Sequence, residues 1–210
     1  MKKFSIITGY RNRNIKRVKN SLDSLANQSV KDFELLFVDY GSDNEYARAA
    51  KALVDKYSFT KYIYNDTRGW FWSRAHALNT GIRHAKGELS ILWDIDLMAE
   101  PDFLAKISQR DYSTQFTTHR CYYLPEEATA KNYSQFISEA RHAYVGLCIV
   151  RTDILQQIQG FDEFYQVWGA EDEDLYRRIE QLGVNRYFVN ADEVALYHQW
   201  HPTQALSLPD

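Results

Sequence analysis

Apolar and polar stretches alternate along the chain in a way that predicts strands and helices in turn. "FSIIT" (Phe4–Thr8) and "FELLFVD" (Phe33–Asp39) are short apolar runs bounded by polar residues, the pattern of buried strands. Between them Ile15, Val18, Leu22 and Leu25 recur at helical spacing and complete a strand-helix-strand unit. "EYARAAKALVDKY" then predicts a helix, "KYIYN" a strand, "RAHALNTGIRHAKG" a helix closed by Gly87, and "ELSILWDID" another buried strand. Right-handed crossovers between such units give an α/β fold with a mostly parallel central sheet flanked by helices. Ligands in these sheets bind beyond the carboxyl ends of the strands. The polar stretches "TGYRNR", "DYGSD" and "DID" all fall at that rim.

The second half is less regular. Residues 111–141 mix polar and aromatic residues without a clean period and are expected to form loop with one short helix. "YVGLCIV" and "EVALY" predict strands, and "RTDILQQIQG" a helix closed by Gly160. With no internal repeat and no Pro/Gly-rich linker, the 210 residues are read as one domain.

Composition narrows the function classes. A hydrophobic content of 45% and a charged content of 25% are globular values, so disordered and fibrous classes drop out. A formal net charge of -3 gives no electrostatic case for nucleic acid. Cys121 and Cys148 lie in apolar surroundings without metal-ligand or redox spacing, as buried free thiols of a reducing compartment do. No stretch has the length of a membrane span, and "MKKFSIITGYRN" is not a signal peptide. The 15 Tyr, 11 Phe and 5 Trp exceed what a core of this size requires, and flat rings line sites that stack on bases or sugars.

Several constellations carry chemistry. In "LWDIDLM", Asp94 and Asp96 sit two apart at a strand end, so both side chains project to one side and repel unless a cation or donors share them. A turn or helix cap is the competing explanation. "VWGAEDEDLYRR" places four acids at the start of a helix expected to run to Leu182, with Leu175, Ile179 and Leu182 as its buried stripe. Glu171 and Asp172 border that stripe, whereas Glu173 and Asp174 are spaced to pair with Arg177 and Arg178. The helix dipole is expected to keep Asp172 ionised with a depressed pKa, ready to accept a proton. His198 follows a strand in "YHQWHP", where it is either a rim histidine or a partner of Asp96 in a divalent-metal site. Asp39, at a strand end before Gly41, can accept from a base N–H or a ribose hydroxyl, and Arg11 and Arg13 can grip a pyrophosphate. No Gly-rich phosphate loop occurs.

Taken in order and spacing, "GYRNR", "FWSRAHALNTGIRHA", "LWDIDLM" and "GFDEFYQVWGAEDEDLYRRIEQLG" resemble the inverting glycosyltransferases of GT-A fold. "FVDYGSDN" resembles the nucleotide-binding motif of glycosyltransferase family 2, and the C-terminal motif is similar to that of β-1,4-galactosyltransferases and the bacterial polysaccharide and chondroitin-type synthases. The resemblance implies a nucleotide-sugar-binding half over residues 1–98 and an acceptor-binding half over 99–210. It implies that Thr8, Tyr10, Arg11, Arg13, Asp39, Arg74 and Asp94 bind the nucleotide sugar. Trp168, Gly169 and Glu171 would meet the sugars or acceptor, Asp172 would be the catalytic base, and Asp96 and His198 would ligate Mn2+ or Mg2+.

The chain departs from the galactosyltransferase pattern at Gly9, where Pro is usual, and at Gly169-Ala170, where Gly-Gly is usual. Ala195 stands where a sulfur ligand is expected, and His201 is a possible replacement. The implied donor is a UDP-sugar, UDP-galactose or UDP-N-acetylgalactosamine, and the acceptor a glycan or lipid-linked saccharide. Without the stem and anchor of the animal enzymes, a bacterial cytoplasmic enzyme with at most peripheral membrane association is expected. A non-catalytic sugar-nucleotide or glycan-binding subunit of the same fold is the alternative, against which Asp94, Asp96, Asp172 and His198 stand together.

Overall fold

The computed structural model describes residues 3–137, 141–166 and 169–202. Its strands in the first half are β1 (Phe4–Tyr10), β2 (Phe33–Tyr40), β3 (Thr60–Asn65), β4 (Leu89–Leu92) and β5 (Leu97–Ala99). The second half adds β6 (Gln115–Tyr123), β7 (Arg141–Arg151), β8 (Asn185–Val189) and β9 (Leu196–His198). The helices are α1 (Ile15–Ala26), α2 (Asn44–Val54), α3 (Arg74–His84), α4 (Phe103–Ser108), α5 (Thr152–Gln157) and α6 (Glu171–Glu180).

All nine strands join one sheet in the order β3-β2-β1-β4-β7-β6-β9-β5, with β8 pairing β6 off this path. The first four pair in parallel, Phe4 facing Phe33 on one side and Leu89 on the other. Strand β7 then enters antiparallel between β4 and β6, and β5 is antiparallel to β9. The sheet is therefore mixed, its expected parallel character confined to β1–β4 and to the pairings of β6 with β8 and β9.

Alternation along β1 divides the core. Phe4 and Ile6 pack with Val18, Leu22 and Leu25 of α1, and Trp93 joins them with its Nε1–H donated to Ser21 Oγ at 3.0 Å. Ile7 faces the other way, against Leu78 and Ile82 of α3, Leu155 of α5, and Leu175 and Ile179 of α6. Two helix starts are fixed by side-chain caps: Asn14 accepts from Lys16 N and Ser73 from His76 N. Gly87 is required by contact, because a Cβ there would lie 2.4 Å from Ser5 N.

Five expectations change. Residues 115–123 are a central strand, not loop; "QFTTHRCYY" lacks an apolar run because it buries polar side chains, of which Thr117 Oγ1 and His119 Nε2 hydrogen-bond at 3.0 Å. Residues 185–189 form strand β8, a further element without a sequence signal. Strand β4 ends at Leu92, so Asp94 and Asp96 lie in the turn before β5 and do not project to one side as strand residues would. Helix α6 stops at Glu180, leaving Leu182 43% exposed, and Tyr176 takes its place in the core. Asp174 pairs with Arg178 as expected, but Glu173 pairs with Arg186 of β8 instead of Arg177.

Candidate active site

Two polar clusters meet at the rim formed by the ends of β4, β7 and β9 and the first turns of α3 and α6. The first is built by register. His198 is the last residue of β9 and faces Leu97 across the antiparallel pair, which sets its ring beside Asp96. His198 Nε2 lies 3.5 Å from Asp96 Oδ1, and His201 Nε2 lies 3.4 Å from Oδ2. One ligand atom from each of the three residues falls within 4.8 Å of the others, a donor set of one carboxylate and two imidazoles that fits a divalent metal ion. Ala195, at the place of the missing sulfur, packs instead against the small cluster of Met98, Tyr122, Leu124, Ala191 and Tyr197.

Gln199, which the sequence reading passed over, holds this turn in place. Its backbone N–H and its Nε2 both donate to Asp96 O at 3.1 Å. The same side chain reaches α1, where Nε2 donates to Arg17 O and Oε1 accepts from Asn20 Nδ2. Arg17 itself stands near Asp96; burial lowers its pKa and the Asp96 charge opposes that.

The second cluster centres on Arg74, the first residue of α3. Its Nε donates to Asp94 Oδ1 at 3.1 Å, Nη1 to Asp172 Oδ1 at 2.8 Å, and Nη2 to Gly146 O at 2.6 Å. Burial works against its charge, but Asp172 and Asp94 outweigh that and its pKa is raised. The turn thus sends the two acids apart, Asp94 toward Arg74 and Asp96 toward the histidines. Gly146 makes room for the clamp, since a Cβ there would lie 2.6 Å from Arg74 Nη2 and 3.0 Å from Asp172 Oδ2. A glycine inside a predicted strand is a signal of close approach, and it was available in "YVGLCIV".

Asp172 departs from its expectation. Its pKa is pushed up to about 6, by burial first, against the pull of Arg74 and with the help of the Glu171 and Asp94 charges. Loss of water around the carboxylate outweighs the helix dipole. Glu171 is buried and its Oε2 accepts from Gly169 N at 3.0 Å, closing the turn in which Ala170 adopts φ 64.

The other predicted residues surround the ends of β1 and β2. Arg11 donates from Nη1 to Trp70 O at 2.7 Å and lies over the Tyr40 ring. Arg13 follows on the same loop, its carbonyl accepting from Tyr10 Oη at 3.3 Å. Tyr10 and Asp39 are interior; Asp39 accepts from Ser42 N at 2.9 Å and from Tyr62 Oη at 2.5 Å. Thr8 is buried, and its Oγ1 has no hydrogen-bond partner among the described residues. Trp168 lies outside the described residues.

This fold corresponds to a known class. A family model described as glycosyl transferase family 2 matches residues 5–111, and one described as the N-terminal domain of galactosyltransferase matches residues 128–202. The chain belongs to glycosyl transferase family 2. It is 25% identical over 128 residues to human β-1,4-galactosyltransferase 6, covering 60% of this chain and 31% of that protein. A mannosyltransferase from Pyrobaculum calidifontis, solved in complex with GDP-Man and Mn2+, superposes with a TM-score of 0.69 at 19% identity, over 97% of this chain and 58% of the other. S. aureus TarS residues 1–349, solved with UDP-GlcNAc, gives 0.70 at 18% identity, over 100% of this chain and 62% of the other. These likenesses establish the GT-A fold, and the chain spans about a third of the curated relative's length.

Proposed function

We propose that this chain is a metal-dependent inverting glycosyltransferase that moves a hexose or N-acetylhexosamine from a UDP-sugar to a glycan hydroxyl. The observation that carries this reading is the position of Asp172: a half-buried carboxyl at the rim, pushed up to about 6 and tied through Arg74 to Asp94, which lies in the same turn as the Asp96 of the Asp96-His198-His201 set. A carboxylate of that pKa is ionised at neutral pH yet more basic than a solvated Asp, which suits a general base.

Asp172 takes the proton of the acceptor hydroxyl as its oxygen bonds to the anomeric carbon, and the bond from that carbon to the diphosphate breaks. Arg74 holds Asp172 and Asp94 at fixed separation and keeps the base oriented during this step. Arg11 and Arg13 serve the diphosphate and uracil. Thr8, Tyr10, Asp39 and Asp94 shape the nucleoside and ribose side, and Trp168, Gly169 and Glu171 the acceptor side. Asp96, His198 and His201 would hold the divalent ion, which when bound neutralises the departing nucleoside diphosphate. Two imidazoles favour Mn2+ over Mg2+, which prefers oxygen ligands.

The donor reading, UDP-galactose or UDP-N-acetylgalactosamine, is supported by the galactosyltransferase relative. Inversion, and a place in bacterial polysaccharide synthesis with a glycan or lipid-linked acceptor, rest on the motif resemblance. The two family matches support the division into a donor half, 1–98, and an acceptor half, 99–210. Two buried free cysteines support a cytoplasmic setting. Among the described residues no helix is long and apolar enough to cross a membrane.

A panel of UDP-sugars, each with and without Mn2+, tests this by donor hydrolysis and calorimetric binding. Turnover of one donor only with metal is the expected result; donors bound and never cleaved, with any acceptor mixture, would return the chain to the binding-subunit class.

A further inference from the structure

Beside Asp172, on the same face of the sheet, two large aromatic side chains stand in solvent. Tyr144 of β7 is 44% exposed and Phe188 of β8 is 47% exposed, and their rings meet edge to face at 5.6 Å between centroids. Register puts them there. Cys148, Thr118 and Phe188 lie side by side across β7, β6 and β8. The β6–β7 register shifts between Thr118 and Arg120, but Val145 and Leu147 both pack into the core on the opposite side from Cys148, which leaves Tyr144, Gly146 and Cys148 on one face of β7. Gly146 is the residue that the Asp172 carboxylate overlies. Tyr144 is two strand residues further along, about 7 Å away, so a ring resting on it lies within a sugar unit of the base.

Each aromatic is backed by a guanidinium, and the two differ in one respect. Arg186 lies 4.5 Å from the Phe188 centroid and is neutralised by Glu173, both of whose carboxylate oxygens it meets at 3.1 Å. Arg120 lies 4.7 Å from the Tyr144 centroid, and among the described residues no carboxylate is within ion-pair distance of it. Its cross-strand partner is Tyr144 itself, so the charge sits beside the exposed ring. Flat rings stack on the apolar faces of sugars, and a cation with no counterion among the described residues is matched by a ligand that brings one.

We propose that Tyr144, Phe188 and Arg120 form a saccharide subsite that selects an acceptor sugar carrying a carboxylate, a uronate. The location of this subsite beside the base rests on the glycosyltransferase reading, which it deepens by naming the acceptor class. Tyr144 and Phe188 supply the stacking surface, and Arg120 donates to the carboxylate.

Binding to the full chain distinguishes this from its rivals. Saturation-transfer NMR titrations use methyl β-D-glucuronide against methyl β-D-glucoside, with UDP and Mn2+ present, and in a separate arm UDP-glucuronate against UDP-glucose. The glucuronide should bind about fivefold tighter than the glucoside, from one charge-assisted hydrogen bond at a solvent-facing site, with no such preference between the two nucleotide sugars. Arg120→Gln should bring the preference within about twofold, Arg120→Lys should keep most of it, and Phe188→Ala should weaken both glycosides equally. Equal binding of the two glycosides by the unaltered protein, or binding of neither, overturns the proposal without any variant. A preference that survives Arg120→Gln overturns the role of Arg120, and a preference seen only between the nucleotide sugars overturns the acceptor assignment. Since binding is the readout, a chain that prefers the glucuronide but transfers no sugar refutes the transferase reading and leaves the subsite standing.

Discussion

Replacing Asp172 by Asn should make the protein more stable at pH 8 while abolishing transfer. The side chain is isosteric with the protonated acid, so the variant resembles the wild type with that group permanently neutral. In the folded chain the Asp172 pKa is raised from 3.8 to about 6, so the native state binds this proton more tightly than the unfolded chain does. Wild-type stability therefore falls as pH rises through the window between those values, by about 3 kcal/mol in full, at 1.36 kcal/mol per decade of affinity. With the side chain 29% exposed, solvent screening brings this to about 2 kcal/mol. Arg74 loses one carboxylate but keeps Asp94 at 3.1 Å and Gly146 O at 2.6 Å, so no charge is left unpaired. Urea unfolding at pH 8 and pH 4, followed by circular dichroism, measures the difference. The variant should gain about 2 kcal/mol at pH 8 and no more than about 0.5 kcal/mol at pH 4. A variant less stable than wild type at pH 8 would mean that Asp172 is a structural ion-pair partner of Arg74, and the argument for a strained base would fail.

The same displacement sets the pH dependence of transfer: kcat/KM should climb tenfold per pH unit below about 6 and level off above it, and a profile flat from pH 5 to 8 would exclude Asp172 as the base. Gly146→Ala places a methyl 2.6 Å from Arg74 Nη2 and should cost about 1–3 kcal/mol in stability and most of the transfer rate, read by thermal unfolding and initial rates. Gln199→Ala frees the turn carrying Asp96 and should weaken Mn2+ about tenfold in calorimetry, with UDP binding in the absence of metal unchanged. Asp96→Ala should abolish Mn2+-dependent UDP binding, and His201→Ala should weaken it as strongly as His198→Ala if both rings are ligands; an unaffected His201 variant would reduce the set to two.

Much of the first half was legible in the chain itself, because buried parallel strands must be apolar on both faces and amphipathic helices must repeat every three to four residues. The ends of β1, β2 and β4 put Arg11, Asp39 and Asp96 at one rim for that reason. The second half resisted the same reading. Strand β6 hides its character because Thr117 and His119 are buried as a hydrogen-bonded pair, and the edge strand β8 is exposed along most of its length. The pairing of Glu173 also escaped the helical rule, since Arg186 comes from another element and stacks on Tyr176 at 4.2 Å.

By itself the sequence determined the residue types at the site and the order of the elements that deliver them: an acid pair after an apolar strand, acids opening a helix, histidines after the last strand. Only the tertiary structure decided which groups meet. The turn after β4 separates Asp94 from Asp96, the β5-β9 register brings His198 and then His201 to Asp96, and Gly146 admits Arg74 between two carboxylates. It also reversed the electrostatics of Asp172. A helix dipole is local and can be read from the chain, whereas desolvation depends on every element packed around the group and exists only once the chain has folded.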